Sequence, residues 1–354
     1  MFTFHDLDRL VGPHQAFINL TQTFLEDPSI LPLSKDRLVL EVLENIPVTD
    51  ELVTAVRGLA ADGYTIALDD FILDDRTLPL AELAHVIKID IRQLSEGQVK
   101  EHVSRLKRFP AHLLAEKVEN HDELEFCKSQ GFHYFQGFFL SRPRIIKSKR
   151  LPADRVRVLN LLQKLQDPEA SLREITELVS KDVYLSYRLL RLINSAYFPI
   201  RTKIESIHRA VVYLGLKGVR TWATWIVMSG IQDKPPELKT EALIRAKMAT
   251  GLAAELGLDQ ADRAFTVGLF STLDALLDLP LEEAVGTLPL TTEVNEALLD
   301  LKGPLGEVLA TVLAYEGGDW EQALRLAVAP ARLKEIYLDS VEWARNLGLD
   351  LEDL

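Results

Sequence analysis

Short apolar runs rich in β-branched residues punctuate the first 140 residues: AFINL, LVLEV, TIALDD, HVIKID, HLLAEKV and YFQGFF. Amphipathic segments such as DELVTAVRGLAADG and DELEFCKSQG fill most of the gaps. This alternation predicts βα units that build a parallel sheet. The interval between runs is roughly two dozen residues, close to the ~30 per unit of a βα barrel. Only six units are visible, so the expected fold is α/β, an incomplete (β/α) TIM-type barrel. Six strands cannot close a barrel that needs eight, and the flanking strands would expose backbone donors and acceptors. An upstream segment, the opening residues MFTFHDLDRLVGP, or a second copy in a homodimer would cover those edges, and self-association is the expectation.

After LSRPRIIKSKRLPAD the pattern changes to helix-length amphipathic segments. These include RVRVLNLLQKLQ, SLREITELVS with Ser171 and Glu174 at capping-box spacing, SIHRAVVYLGL, VRTWATWIVMSGI and QADRAFTVGLFSTLDALLDL. No run in this half alternates like a strand. The expected organisation is a βα domain over 1–145, a Pro-flanked basic linker over 146–153 and an all-α domain over 154–354.

Composition narrows the function classes. A chain of 354 residues suits two compact units. A formal charge of −13 argues against a general nucleic-acid or anionic-membrane surface. The single cysteine, Cys127, forms no intrachain disulfide and suits a reducing cytoplasm. The start lacks the basic head and apolar core of a signal peptide, and WATWIVMSGI is far short of the ~20 residues a spanning helix needs.

The ends of the six apolar runs carry, in order, Asn19, Glu41 with Glu44, Asp69 with Asp70, Lys88 with Asp90, Glu116 with Glu119, and Gln136. In a βα barrel the C-terminal strand ends share one mouth, where active sites sit. Adjacent carboxylates such as Asp69 and Asp70 repel unless a cation lies between them. Oxygen donors in this number suit Mg²⁺, Mn²⁺ or Ca²⁺. Lys88 among carboxylates should have a raised pKa and make a poor base unless bound metal cancels the field. Plainer readings stand beside these: Glu41, Glu44 and Glu119 as solvated strand-end charges, Asp69 and Asp70 as helix caps, and Lys88 with Asp90 as an internal ion pair.

The ordered motifs AFINLT, LEVLE, ALDDF, VIKID, LLAEKVE and YFQGFFLSRP resemble the EAL domain, a βα-barrel phosphodiesterase of cyclic di-GMP, over about residues 15–145. The resemblance implies that Asn19, Glu44, Asp69, Asp70 and Glu116 match metal-binding positions. It likewise implies that Lys88 matches the lysine assigned to the catalytic water, and Gln136 a glutamine near the metals. The chain departs from the family. The namesake Glu-Ala-Leu strand is missing, because the chain begins after its place. Ile72, Leu73 and Asp74 stand where a Gly-Thr-Gly turn is expected, Leu43 where Thr is, and Lys117 where Gly is. Hydrolysis is therefore expected to be absent or marginal, unless Asp74 or Asp75 replaces the missing ligand.

The second half, above all LSYRLLRLINSAYF, resembles the HDOD domain, a helical relative of the HD metal-dependent phosphohydrolases, over about 154–285. The resemblance places the hydrolases' His-Asp dyad near GLFSTLDALL, where this chain has Ser271 and Thr272. His208 is the only histidine in this half. Asn194 and Ser195 are the characteristic polar pair, read either as pocket-lining groups or as a helix end stitched to a neighbouring backbone. Trp222 and Trp225 read as core. The expected function is a signalling regulator that acts by contact with other signalling proteins, such as kinases or response regulators, with cyclic di-GMP as a second possible ligand.

Overall fold

The structure, a computed structural model, describes residues 4–21, 24, 34–143, 152–195, 197, 198, 200 and 202–352. It divides into two compact units, Met1–Arg142 and Pro143–Leu354. Most of the expected linker over 146–153 lies outside the described residues.

The first unit holds six parallel strands in sequential order: β1 (Ala16–Asn19), β2 (Leu38–Val42), β3 (Thr65–Leu68), β4 (Val86–Asp90), β5 (His112–Glu116) and β6 (Tyr134–Phe135). All six apolar runs thus become strands, and the sheet is the open half of a barrel with β1 and β6 at its edges. YFQGFF contributes only two strand residues before turning into the 3₁₀ segment Phe138–Leu140. Three of the intervening helices start on residues whose side chains satisfy free backbone N–H groups. Thr49 accepts from Leu52 N, Ser95 forms a capping box with Gln98, and Asn120 accepts from Glu123 N.

Strand parity sorts the sheet into two faces. Leu38, Leu40 and Val42, Ile66 and Leu68, Ile87 and Ile89, and Leu113 and Ala115 face the helices, where they pack with Leu52, Val56, Leu59, Val99, Val103 and Leu106. The alternate residues Val39, Ala67, Val86 and Leu114 form a small separate cluster on the concave face. Continuing that face toward the strand ends brings Asn19 opposite Glu41, and Asp90 opposite Glu116. One apolar layer thus forms the floor beneath a polar rim.

The second unit is all helix among its described residues, from Ala153–Gln166 to Pro330–Glu352. The capping box of Ser171 and Glu174 forms. SIHRAVVYLGL and VRTWATWIVMSGI run together as Ile207–Ser229, broken at Gly215, whose φ of 68° only glycine adopts without strain. QADRAFTVGLFSTLDALLDL, expected as one helix, splits into Ala261–Phe270 and Leu273–Leu277. Trp222 and Trp225 are buried in the core. Arg155 is fully buried, held by Asp233 at 2.7 Å and by Asp278 at 3.5 Å, while Lys234 pairs with Asp278 at 2.6 Å. No helix among the described residues is long and apolar enough to cross a membrane.

Candidate functional site

Four strands deliver side chains to one buried point. Lys88, on the concave face of β4, donates to Glu41 at 2.6 Å, Asp69 at 2.7 Å and Glu116 at 2.9 Å. Its side chain is only 6% exposed. Burial opposes the ammonium charge, but the bonds to Asp69, Glu41 and Glu116 outweigh it and hold the Lys88 pKa above the ordinary lysine value. Glu116 is pushed up to about 7 by burial, against the pull of Lys88. One ammonium cannot neutralise three carboxylates, so the most enclosed of them keeps its proton longest.

A second group adjoins the first. Asp70 stands at φ 43° in the turn after β3, and Lys117 at φ 57° in the turn after β5. Lys117 Nζ pairs with Asp90, which also accepts from Arg92 N at 2.8 Å and from Gln93 Nε2 at 3.1 Å. The same Gln93 amide reaches Asp70 at 3.4 Å. Burial raises the Asp70 pKa, Lys117 lowers it, and the charges of Asp90, Asp69 and Glu44 raise it again. Asp70 Oδ1 is buried without a hydrogen-bond partner. The turn that carries Asp69 and Asp70 is anchored from outside, because His102 bonds Phe71 O at 2.9 Å and Arg105 donates to Leu73 O at 3.0 Å.

These positions bring some of the expected site residues together and keep others apart. Glu41, not Glu44, meets Lys88: Glu41 lies within β2 on the concave side, whereas Glu44 follows the strand in an exposed turn. Lys88 does not pair with Asp90, which belongs to Lys117. Asp74 closes a turn, its carboxylate accepting from Arg76 N and Thr77 N. Asn19 and Gln136 share the concave rim by register but are exposed, and Gln136 is fixed by its backbone to Ala115 and Val118. The next residue, Gly137, has φ 149°, and a Cβ there would lie 2.0 Å from Val118 O.

Of the expected ligand set Asn19, Glu44, Asp69, Asp70 and Glu116, Asp69 and Glu116 bond Lys88, while Asn19 and Glu44 are exposed. Among the described residues no three Asp, Glu, His or Cys side chains converge as metal ligands. The carboxylates turn instead toward Lys88 and Lys117. The arrangement as built does not fit a resident divalent ion, although five carboxylates against two ammonium groups leave the rim strongly negative.

The helical unit repeats the theme where the His-Asp dyad was expected. Arg245 bonds Glu316 at 2.7 Å, pairs with Glu241 and reaches Ser271 Oγ at 3.4 Å. Thr272 donates to Leu269 O. Burial pushes Glu316 up to about 7 against the pull of Arg245. This cluster escaped the sequence reading because Ser271 and Glu316 lie 26 and 71 positions from Arg245 and reach it only through packing. Asn194 bonds Leu190 O and Ile204 O at 2.7 Å and accepts from Ile204 N at 2.8 Å, while Ser195 Oγ accepts from Tyr197 N. The pair stitches a helix end to the following loop.

An open parallel half-barrel whose strand ends share one acidic rim, followed by a helical domain, defines the class of protein. The EAL domain model matches residues 3–143 and the HDOD domain model residues 151–281. The cyclic di-GMP phosphodiesterase CdgJ of Vibrio cholerae is 34% identical over 349 residues, spanning 96% of this chain and 80% of that protein. The uncharacterized protein YuxH of Bacillus subtilis is 30% identical over 352 residues, spanning 96% and 86%. A solved structure of the Bacillus subtilis YkuI protein, with an EAL domain, in complex with substrate c-di-GMP and calcium, is 20% identical, with a TM-score of 0.33 over 58% of this chain and 57% of that one. The chain belongs to the family that joins an EAL domain to an HDOD domain.

Proposed function

We propose that this chain is a cyclic di-GMP signalling protein that acts by protein contact, with a degenerate EAL site that does not turn the nucleotide over. The observation that carries the reading is Lys88. A lysine held by three carboxylates with its pKa raised keeps its proton at neutral pH and cannot take one from an attacking water. In the helical unit an Arg245-centred ion-pair network stands where a metal-binding dyad would be needed, which supports a non-catalytic role there. Exposed Val183, Tyr187, Val212 and Tyr213 on that unit supply the apolar and tyrosine surface that protein contacts use, for partners such as a kinase or response regulator. The open edges at β1 and β6 suit pairing with a second copy.

A second reading is a residual phosphodiesterase with Mg²⁺ or Mn²⁺ drawn to the uncompensated negative charge of the rim. It is favoured by the name of the Vibrio cholerae relative and by the unpartnered Asp70 Oδ1. Chromatography of cyclic di-GMP incubated with the chain and Mn²⁺ or Mg²⁺ separates the two. Turnover no faster than an Asp69→Asn control is expected. Metal-dependent turnover well above that control, lost in Lys88→Met, would establish the second reading instead. Calorimetric titration with the nucleotide reports whether it binds without cleavage.

A further inference from the structure

We infer that Lys117 is a tethered counter-ion, holding the Asp70–Asp90 half of the rim in place of a divalent cation. Its backbone is the first sign. A lysine at φ 57° sits in the left-handed region, where a Cβ crowds its own backbone. The surroundings must compensate, and the ammonium shows how. Lys117 is 57% exposed, yet its Nζ turns back onto Asp90, whose side chain is 4% exposed. A lysine is a cation at neutral pH, and the contact with Asp90 fixes where that charge sits.

Lys117 also serves Asp70. The Gln93 amide touches both carboxylates, so Asp70 neighbours the Asp90 carboxylate that Lys117 holds. Two left-handed residues, the anion Asp70 after β3 and the cation Lys117 after β5, thus flank Asp90 at the end of β4. Lys88 already supplies the cation for Glu41, Asp69 and Glu116. With Lys117 present, Glu41, Asp69, Asp90 and Glu116 each bond an ammonium. A hydrated divalent ion would have to displace Lys117 from Asp90 before it gained an oxygen ligand there.

The inference concerns ion binding, not nucleotide turnover, so a manganese titration decides it whichever way the turnover assay falls. Free Mn²⁺ is followed by electron paramagnetic resonance in titrations of the full chain, Lys117→Gly, Lys117→Met and Lys117→Met with Asp90→Asn. Glycine removes both the charge and the backbone strain, whereas methionine removes only the charge. Both single variants should gain a Mn²⁺ site at least about tenfold tighter than any in the native chain, from the loss of one nearby positive charge. The double variant should lose that gain. Native and single variants binding alike, a gain confined to the glycine variant, or a gain that survives Asp90→Asn would each overturn the inference. Far-UV circular dichroism at the titration temperature confirms that every variant is folded.

Discussion

Replacing Lys88 by methionine tests the rim most directly, because the side chain keeps its length and loses only its charge. Each of the three contacts, at 2.6 to 2.9 Å, is worth about 6 kcal/mol of gross Coulomb attraction at an effective dielectric of ~20. Desolvation of the ammonium and mutual repulsion of the carboxylates offset most of that total. Removing one partner from a buried ion cluster costs about 3–5 kcal/mol net. The variant's sign with pH is opposite to that of an ordinary salt-bridged acid. Without Lys88, the folded-state pKa of Glu116 rises further above its unfolded value. Protonation then relieves the repulsion, so the deficit is smallest near pH 5 and grows as pH rises through about 7, where Glu116 already stands in the native chain. Urea unfolding followed by far-UV circular dichroism at pH 5 and 8 measures it, with hydrogen exchange of peptides spanning 86–90 locating the loss. Tryptophan emission would miss it, because Trp222, Trp225, Trp320 and Trp343 all lie in the helical unit. At pH 8 the midpoint of the first unit should fall by about 2 M urea, for a slope of ~2 kcal/mol/M. An unchanged midpoint, or a deficit equal at both pH values, would refute the reasoning.

In the helical unit, burial lifts the Glu316 pKa from an ordinary 4.5 to about 7, so its ionisation destabilises the fold as pH rises between those values. Glu316→Gln should therefore gain on the native chain by up to about 3 kcal/mol between pH 4.5 and 7 and change little above, read by tryptophan-monitored denaturation, and a pH-independent difference would count against it. Asn194→Ala loses two donated bonds and one accepted bond that tie Leu190 and Ile204 together. A loss of about 2–3 kcal/mol is expected, and Asn194→Asp should recover only the accepting part, whereas an alanine variant of native stability would show the stitch to be dispensable.

Periodicity in the chain determined the two architectures, since a period of two interleaved with 3.6 in the first 140 residues and 3.6 alone beyond them admits little else. Strand parity also put Asn19, Glu41, Asp69, Lys88, Asp90 and Glu116 at the ends of successive runs. It could not say which of the two glutamates after LVL turns inward, because that depends on where β2 stops. Glu41 is still in the ladder and Glu44 is not. Nor did linear order reveal that Lys117, 27 positions from Asp90, reaches it, or that Arg245 gathers Glu241, Ser271 and Glu316. Ion pairing is set by distances of a few ångströms between groups that only tertiary packing brings together. The sequence supplied the charges and their faces, and the folded chain decided which cation each carboxylate meets.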